Sequence, residues 1–298
     1  MTHSLSSWQP TAAQRIQQFV AAVTNPQSDA YVAPSDRIAT FDNDGTLWCE
    51  KPLYVQLAFV LARIKALASQ HPDWVQQEPF SSALSGDSQR LQQLRLPEDV
   101  LPLIATTHAG MEQKDFDQAV TDFFAQAQHP RFQCPYTQLA YQPMIELIAY
   151  LQQHQFSVYI CSGGGLDFMR QVTNEVFGIP PTQVIGSSIQ KIYQPDGSFQ
   201  RTATLVQPLN DGPGKPIHID RHIGKRPILA AGNSDGDIEM LTYAIESPGA
   251  SLALLIHHDD AEREYAYNAG AEKALAIAAE NDWQIISMQT DFLDVFPT

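Results

Sequence analysis

Apolar residues recur along this chain with two different periods, and the change from one to the other divides it. Ile16, Phe19, Val20 and Val23 fall at helical spacing and Asn25-Pro26 closes their segment, so residues 8–24 predict an opening helix. A β-branched and apolar run at 37–42 predicts a first strand. From 53 to about 128 the pattern is helical, with Leu53, Leu57, Val60, Leu61 and Ile64 on one face and Phe116, Val120, Phe123 and Phe124 on another. No strand is expected inside that block. SSALSGDSQR and RLPEDVLPLIATTH predict shorter helices set off by Pro and Gly, and HPRFQCP at 129–135 reads as the block's return.

From 137 onward helices and strands alternate. A helix over 137–153 leads to a buried strand at 156–161, and Ser162-Gly163-Gly164-Gly165 opens a helix ending near Phe177-Gly178. Residues 184–206 read as a β-hairpin with PDGS (195–198) at its turn, and GPGKP (212–216) leads into a short helix. A strand at 227–231 ends in GNSDGD. After it come a helix (238–244), a strand (252–256), a helix begun by Asp259-Asp260, another around 271–281, and a last strand at 283–286. Alternation of this kind predicts an α/β fold with a doubly wound, Rossmann-like, mostly parallel sheet. Residues 1–46 and 136–298 are expected to form that core, and 47–135 an inserted helical cap.

Composition narrows the function. A formal net charge of −15 argues against a nucleic-acid surface, and any phosphate site must make its positive potential locally. The three cysteines, Cys49, Cys134 and Cys161, are far apart and odd in number, which suggests reduced thiols. The first residues carry neither the basic run nor the apolar core of a signal peptide, and no apolar stretch is long enough to span a bilayer. A cytoplasmic protein with no membrane partner is therefore expected; the oligomeric state is open.

Candidate chemistry gathers at strand ends. Asp42 and Asp44 follow the first strand in FDNDGT, where two carboxylates can share a divalent cation beside a phosphate; a plain Asx turn is the competing reading. Ser162 follows the second, Lys215 stands in GPGKP, and Asn233, Asp235 and Asp237 follow the strand at 227–231. Taken singly, Ser162 reads equally well as a helix cap and Lys215 as a solvated lysine.

In order and type these groups resemble the four motifs of the haloacid dehalogenase-like superfamily, over about residues 37–257. The helical insertion between the first two motifs is similar to the caps of its phosphoserine phosphatase-like members. FDNDGTLWCEKP, SGGGLDFMR, HIGKRPILAAGNSDGDIEML and HHDDAEREYAY carry the likeness. The resemblance implies a Mg²⁺-dependent phosphomonoesterase acting on a small phosphorylated metabolite. Asp42 would be the nucleophile and Asp44 the general acid and base, with both on the metal. Ser162 and the N–H groups of Gly163 and Gly164, expected at a helix start, would hold phosphate with Lys215. The metal loop departs from the family pattern: Asn233 stands where an Asp is usual and Gly236 where an Asn is usual, so Asn233, Asp235 and Asp237 are all candidate ligands.

Other polar groups carry weaker signals. Asp259 with Glu262 fits a capping box, with His257 or His258 as supporting groups at the rim of the site. His218 and His222 lack the Glu of a zinc protease motif and read as surface helix residues. Trp48 and Glu50 follow the catalytic loop closely enough to enter a substrate pocket, although Glu50 reads equally as a solvated charge. Two alternatives stand beside the phosphatase: a phosphomutase of the same fold, and a catalytically weak protein that only binds a phosphorylated ligand. Asp44 argues against metal-free dehalogenases and phosphonate hydrolases.

Overall fold

The computed structural model describes residues 4–87, 90–91 and 100–297. The chain divides into two compact units: a core unit of residues 1–49, 137–187 and 208–298, and a second unit of residues 50–136 and 188–207. The described strands are, in chain order, β1 (Ile38–Phe41), β2 (Ser157–Gly165), β3 (Val184–Ser187), β4 (Ile189–Tyr193), β5 (Phe199–Leu205), β6 (Leu229–Gly232), β7 (Leu252–His257) and β8 (Gln284–Ser287).

Six of these form the core sheet in the order β3-β2-β1-β6-β7-β8, every pair parallel. β1 and β6 are buried along their whole length, which explains their apolar and β-branched runs: both faces of a parallel sheet are covered by helices. Cys161, Ile219, Met240, Leu241, Ala244, Leu255, Ala274 and Ala278 belong to one fully buried cluster of this core. The chain winds outward from β1 through β2 to β3, then crosses to β6 and winds the other way. The switch in strand order therefore falls between β1 and β6, and the crevice at their carboxyl ends is where such sheets bind ligands.

The opening helix spans Pro10–Thr24 and buries Ile16, Val20 and Val23. The helix expected over 137–153 starts later, at Gln142, because Pro143 fits only its first turn; a short 3₁₀ turn at Tyr136–Leu139 comes before it. Three expectations are corrected. β2 continues through all three glycines, and helix begins only at Leu166. Residues 184–187 are not part of a hairpin but the outermost strand of the core sheet, beside β2. No helix follows Asp259-Asp260 among the described residues; the Asp260 carboxylate instead takes the N–H groups of Glu262 and Arg263 and closes a turn.

The second unit holds helices at Val55–Leu67, Phe80–Ser85, Val100–His108 and Gln113–Gln126. Parts of the predicted short helices, residues 88–89 and 92–99, lie outside the described residues. Val60, Ile64, Ala83 and Leu103 are buried in one cluster, and Phe59, His108, Phe116 and Phe123 stack into another. The antiparallel β4–β5 hairpin, with its turn at 194–198 as expected, belongs to this unit. Backbone bonds tie it there: Gly110 N–H donates to Arg201 C=O at 2.8 Å, and Arg201 N–H to Met111 C=O at 2.9 Å. No described helix is long and apolar enough to cross a membrane.

Candidate active site

Within the core unit, the groups singled out in the sequence converge at the ends of β1, β2 and β6. Asp42 is the first residue past β1, and its N–H donates to Ala231 C=O of β6 at 2.9 Å. Lys215, in the first turn of a helix at Gly214–Ile223, is buried rather than solvated. Its Nζ donates to Asp42 Oδ1 at 2.6 Å and to Asp237 Oδ1 at 2.5 Å. Asp42 Oδ2 receives no hydrogen bond from the described residues, whereas both oxygens of Asp237 are occupied. Asp237 Oδ2 accepts from the N–H of Asn233, the N–H of Ser234 and the Ser234 hydroxyl, each at 3.0 Å. This is the capping box that folds GNSDGD back on itself. It requires glycine at 232, since a Cβ there would lie 2.5 Å from Asp237 Cβ.

One ammonium thus serves two buried carboxylates. Burial pushes the Asp42 carboxyl well above the ordinary carboxylate range; Lys215 pulls it down, and Asp237 pushes it up again. Lys215 is held above the ordinary lysine range because the two carboxylates outweigh the burial that disfavours its charge. The site carries negative charge in excess of the lysine, a balance that suits a further cation.

The loop after β1 is pinned from several sides. Trp48 Nε1 donates to Asp44 Oδ1 at 3.0 Å, and Thr46 Oγ1 donates to Asn233 Oδ1 at 3.0 Å, linking the two loops. Ser162 is buried within β2, just before its three glycines, where its Oγ accepts from Gly164 N–H at 3.0 Å, so that N–H is not a free donor at a helix start. Asn210 Nδ2 donates to Ser162 C=O at 2.8 Å. Asp211 lies between the loops: its Oδ1 would be 2.4 Å from a Cβ at Gly236, and its Cβ 3.9 Å from one at Gly163. A side chain at 236 would therefore require Asp211 to move.

Residues 39–242, more than half of the chain, match the haloacid dehalogenase-like hydrolase family. The chain belongs to that family. A conserved, functionally unknown protein from Anaerococcus prevotii DSM 20548 is similar at 14% identity and TM-score 0.60, over 99% of this chain and 98% of that one. A protein of unknown function from Bordetella pertussis Tohama I is similar at 14% identity and TM-score 0.52, over 84% and 98%. A phosphoserine phosphohydrolase-like protein from Francisella tularensis subsp. tularensis SCHU S4 aligns at 16% identity and TM-score 0.46, over 84% and 94%. No curated protein matches the chain.

In this haloacid dehalogenase-like hydrolase, Asp235 stands apart from the cluster of its own unit. Asp235 Oδ1 accepts from Ala274 N–H at 2.9 Å, near the start of the helix at Glu272–Ile277. Glu50 falls in the second unit, buried, with Oε1 3.1 Å from Lys51 Nζ. Asn210, Asp211 and the Thr46–Asn233 bond were not anticipated. The first two directly precede GPGK, and their polarity was the available signal. Asp259 spans to Ser287 Oγ and Gln289 N–H rather than forming the expected box with Glu262. His218 and His222 bond backbone carbonyls of Pro208 and Thr182, and His257 bonds Asn268.

Proposed function

We propose that the protein is a phosphomonoesterase that hydrolyses a small phosphorylated metabolite through a phosphorylated Asp42. One observation carries the reading: Lys215 holds Asp42 by Oδ1 and leaves Oδ2 without a hydrogen bond from the described residues, at the crevice between β1 and β6. In the first step Asp42 Oδ2 attacks phosphorus, the ester P–O bond breaks, and Asp44 gives its proton to the departing alkoxide. In the second, Asp44 takes a proton from water as the water oxygen attacks phosphorus, and the P–O bond to Asp42 breaks to release phosphate. Lys215 and the Ser162 hydroxyl offer positive charge and a donor to the phosphoryl oxygens. Asp237 works through Lys215 and keeps its ammonium aimed at Asp42.

The oxygen donors Asp42, Asp44 and Asn233 fit Mg²⁺, and the excess negative charge at the crevice favours it. When bound, the ion would neutralise phosphoryl oxygens that the carboxylates otherwise repel. The neutral Asn233 brings less charge than an aspartate, so weak binding is expected. The chain's net charge of −15 works against polyanionic substrates and supports a small metabolite.

The test is turnover of a generic aryl phosphate and a metabolite panel, with and without Mg²⁺. Activity should need Mg²⁺, vanish on thorough chelation and return on adding the ion. Full turnover after chelation would sink the reading.

A further inference from the structure

A second buried polar cluster lies beneath the catalytic loop of the core unit, and the proposed chemistry does not use it. His258, the residue after β7, is 3% exposed, and its Nε2 lies 2.8 Å from Gly45 C=O. Its Nδ1 lies 3.2 Å from Oε2 of Glu264, which is fully buried. Tyr267 stacks on the imidazole with ring centres 4.4 Å apart. Glu264 also accepts from Tyr141 OH at 3.2 Å and from Tyr265 N–H at 2.6 Å. Burial would raise the Glu264 carboxyl, but its bonds to His258, Cys49 and Tyr265, with the charge of His258, hold it below the ordinary glutamate range.

Donor and acceptor roles follow from these partners. A carbonyl oxygen only accepts, so Nε2 carries a hydrogen and donates it to Gly45 C=O, while Nδ1 faces the Glu264 carboxylate. Gly45 follows Asp44 in the chain. Its N–H is used by Trp48 C=O at 2.9 Å, while the Trp48 indole holds the Asp44 carboxylate. The described bonds of this turn thus fix Gly45 on both sides, one of them through His258.

We propose that the His258–Glu264 pair fixes the Gly45 carbonyl and through it the carboxylate of Asp44, making His258 a positioning residue for proton transfer to the leaving group. This rests on the phosphatase reading and on Asp44 as its acid. Loosening the pair leaves Asp42, Lys215 and the phosphate site in place but lets Asp44 drift. The loss therefore depends on how much the leaving group needs a proton.

The experiment compares phenyl phosphate, whose phenolate leaves poorly, with 2,4-dinitrophenyl phosphate, whose phenolate leaves unaided. The variants are His258→Gln, Glu264→Gln and the milder Tyr141→Phe, with folding checked by circular dichroism. In the first two, kcat/KM, which reports the transfer to Asp42 and not the later attack of water, should fall about ten- to a hundredfold for phenyl phosphate while that for the dinitrophenyl ester stays within about threefold. Tyr141→Phe, which keeps the buried ring, should move the same ratio by about two- to fivefold. Equal losses on both esters, or an unchanged ratio in Tyr141→Phe, would overturn the positioning role and leave the phosphatase reading standing. A parent enzyme that turns over neither ester would overturn both.

Discussion

Two buried histidines, His258 in the core unit and His108 in the second unit, are treated in opposite ways. In the core unit His258 has both ring nitrogens bonded and a carboxylate against it. In the second unit His108 stacks on Phe59 with ring centres 5.1 Å apart, meets Phe116 edge-on, and has no hydrogen-bond partner for Nε2 among the described residues. Burial, with Arg201 and Arg63 nearby, pushes its pKa down to about 3, so it sits in an aromatic cluster as a neutral ring. The core gathers its buried charges in bonded sets at the strand ends, where a ligand can meet them. Around His108 the second unit's interior is aromatic, and Nε2 of that ring is tolerated rather than matched. Buried polarity therefore points to chemistry here only where donors and acceptors are matched.

The largest test of that contrast removes the core's shared cation. Lys215→Met leaves Asp42 and Asp237 buried without their ammonium, which should cost about 3–5 kcal/mol of stability and about 10²–10³ in kcat. The Asp42 carboxyl, which Lys215 pulls down, would then rise further. A raised carboxyl favours the folded state below its folded pKa, so the variant's stability deficit, read from urea unfolding, should shrink as pH falls from 8 to 5. A deficit independent of pH would mean the charges are not confronting each other.

The second unit predicts a different pH signature. His108 folds with its pKa near 3 against an ordinary 6.5, so unfolding takes up a proton below 6.5. Its neutral burial is fully tolerated above pH 6.5, and stability is lost as pH falls toward 3, at about 1.4 kcal/mol per unit. His108→Phe should flatten that slope, giving about 2 kcal/mol less loss between pH 6.5 and 5 than the parent. An identical slope in the variant would show that His108 is not the group responsible.

The smallest effect concerns Asp235, whose carboxylate bonds Ala274 N–H. Asp235→Ala should lower stability by about 1 kcal/mol, typical of a lost cap, with kcat within about twofold of the parent. A large fall in Mg²⁺ affinity would instead return Asp235 to the metal.

Much of the core was legible in the sequence, for a physical reason. Parallel strands buried on both faces are apolar and β-branched runs, and in this chain those at 38–41, 229–232 and 252–257 run straight up to the polar residues Asp42, Asn233 and His258. Residues 184–206 misled because alternation alone does not say which sheet a strand joins. Val184 and Ile185 are buried in the core, whereas Ile192, Tyr193 and Phe199 are exposed on the hairpin. Asp42, Lys215 and Asp237 could be picked out by type and order along the chain. Partner choice could not be read that way: which carboxylate oxygen stays open, or that His258 rather than His257 reaches Gly45, depends on side-chain direction at strand ends. Asp235 and Asp237 look alike in the sequence, yet a 3₁₀ turn sends one to Lys215 and the other to the helix at 272–277.

Phosphoryl transfer to Asp42 can be caught directly. The enzyme is mixed with Mg²⁺ and an aryl phosphate, quenched during turnover and treated with borohydride, which reduces an acyl phosphate to the alcohol. Peptide mass spectrometry should then find homoserine at position 42, but not in the unreacted enzyme and not in an Asp42→Asn variant, which should itself lose at least about 10³ in kcat. Steady turnover with position 42 unmodified, or with the mark on another carboxylate, would contradict the account.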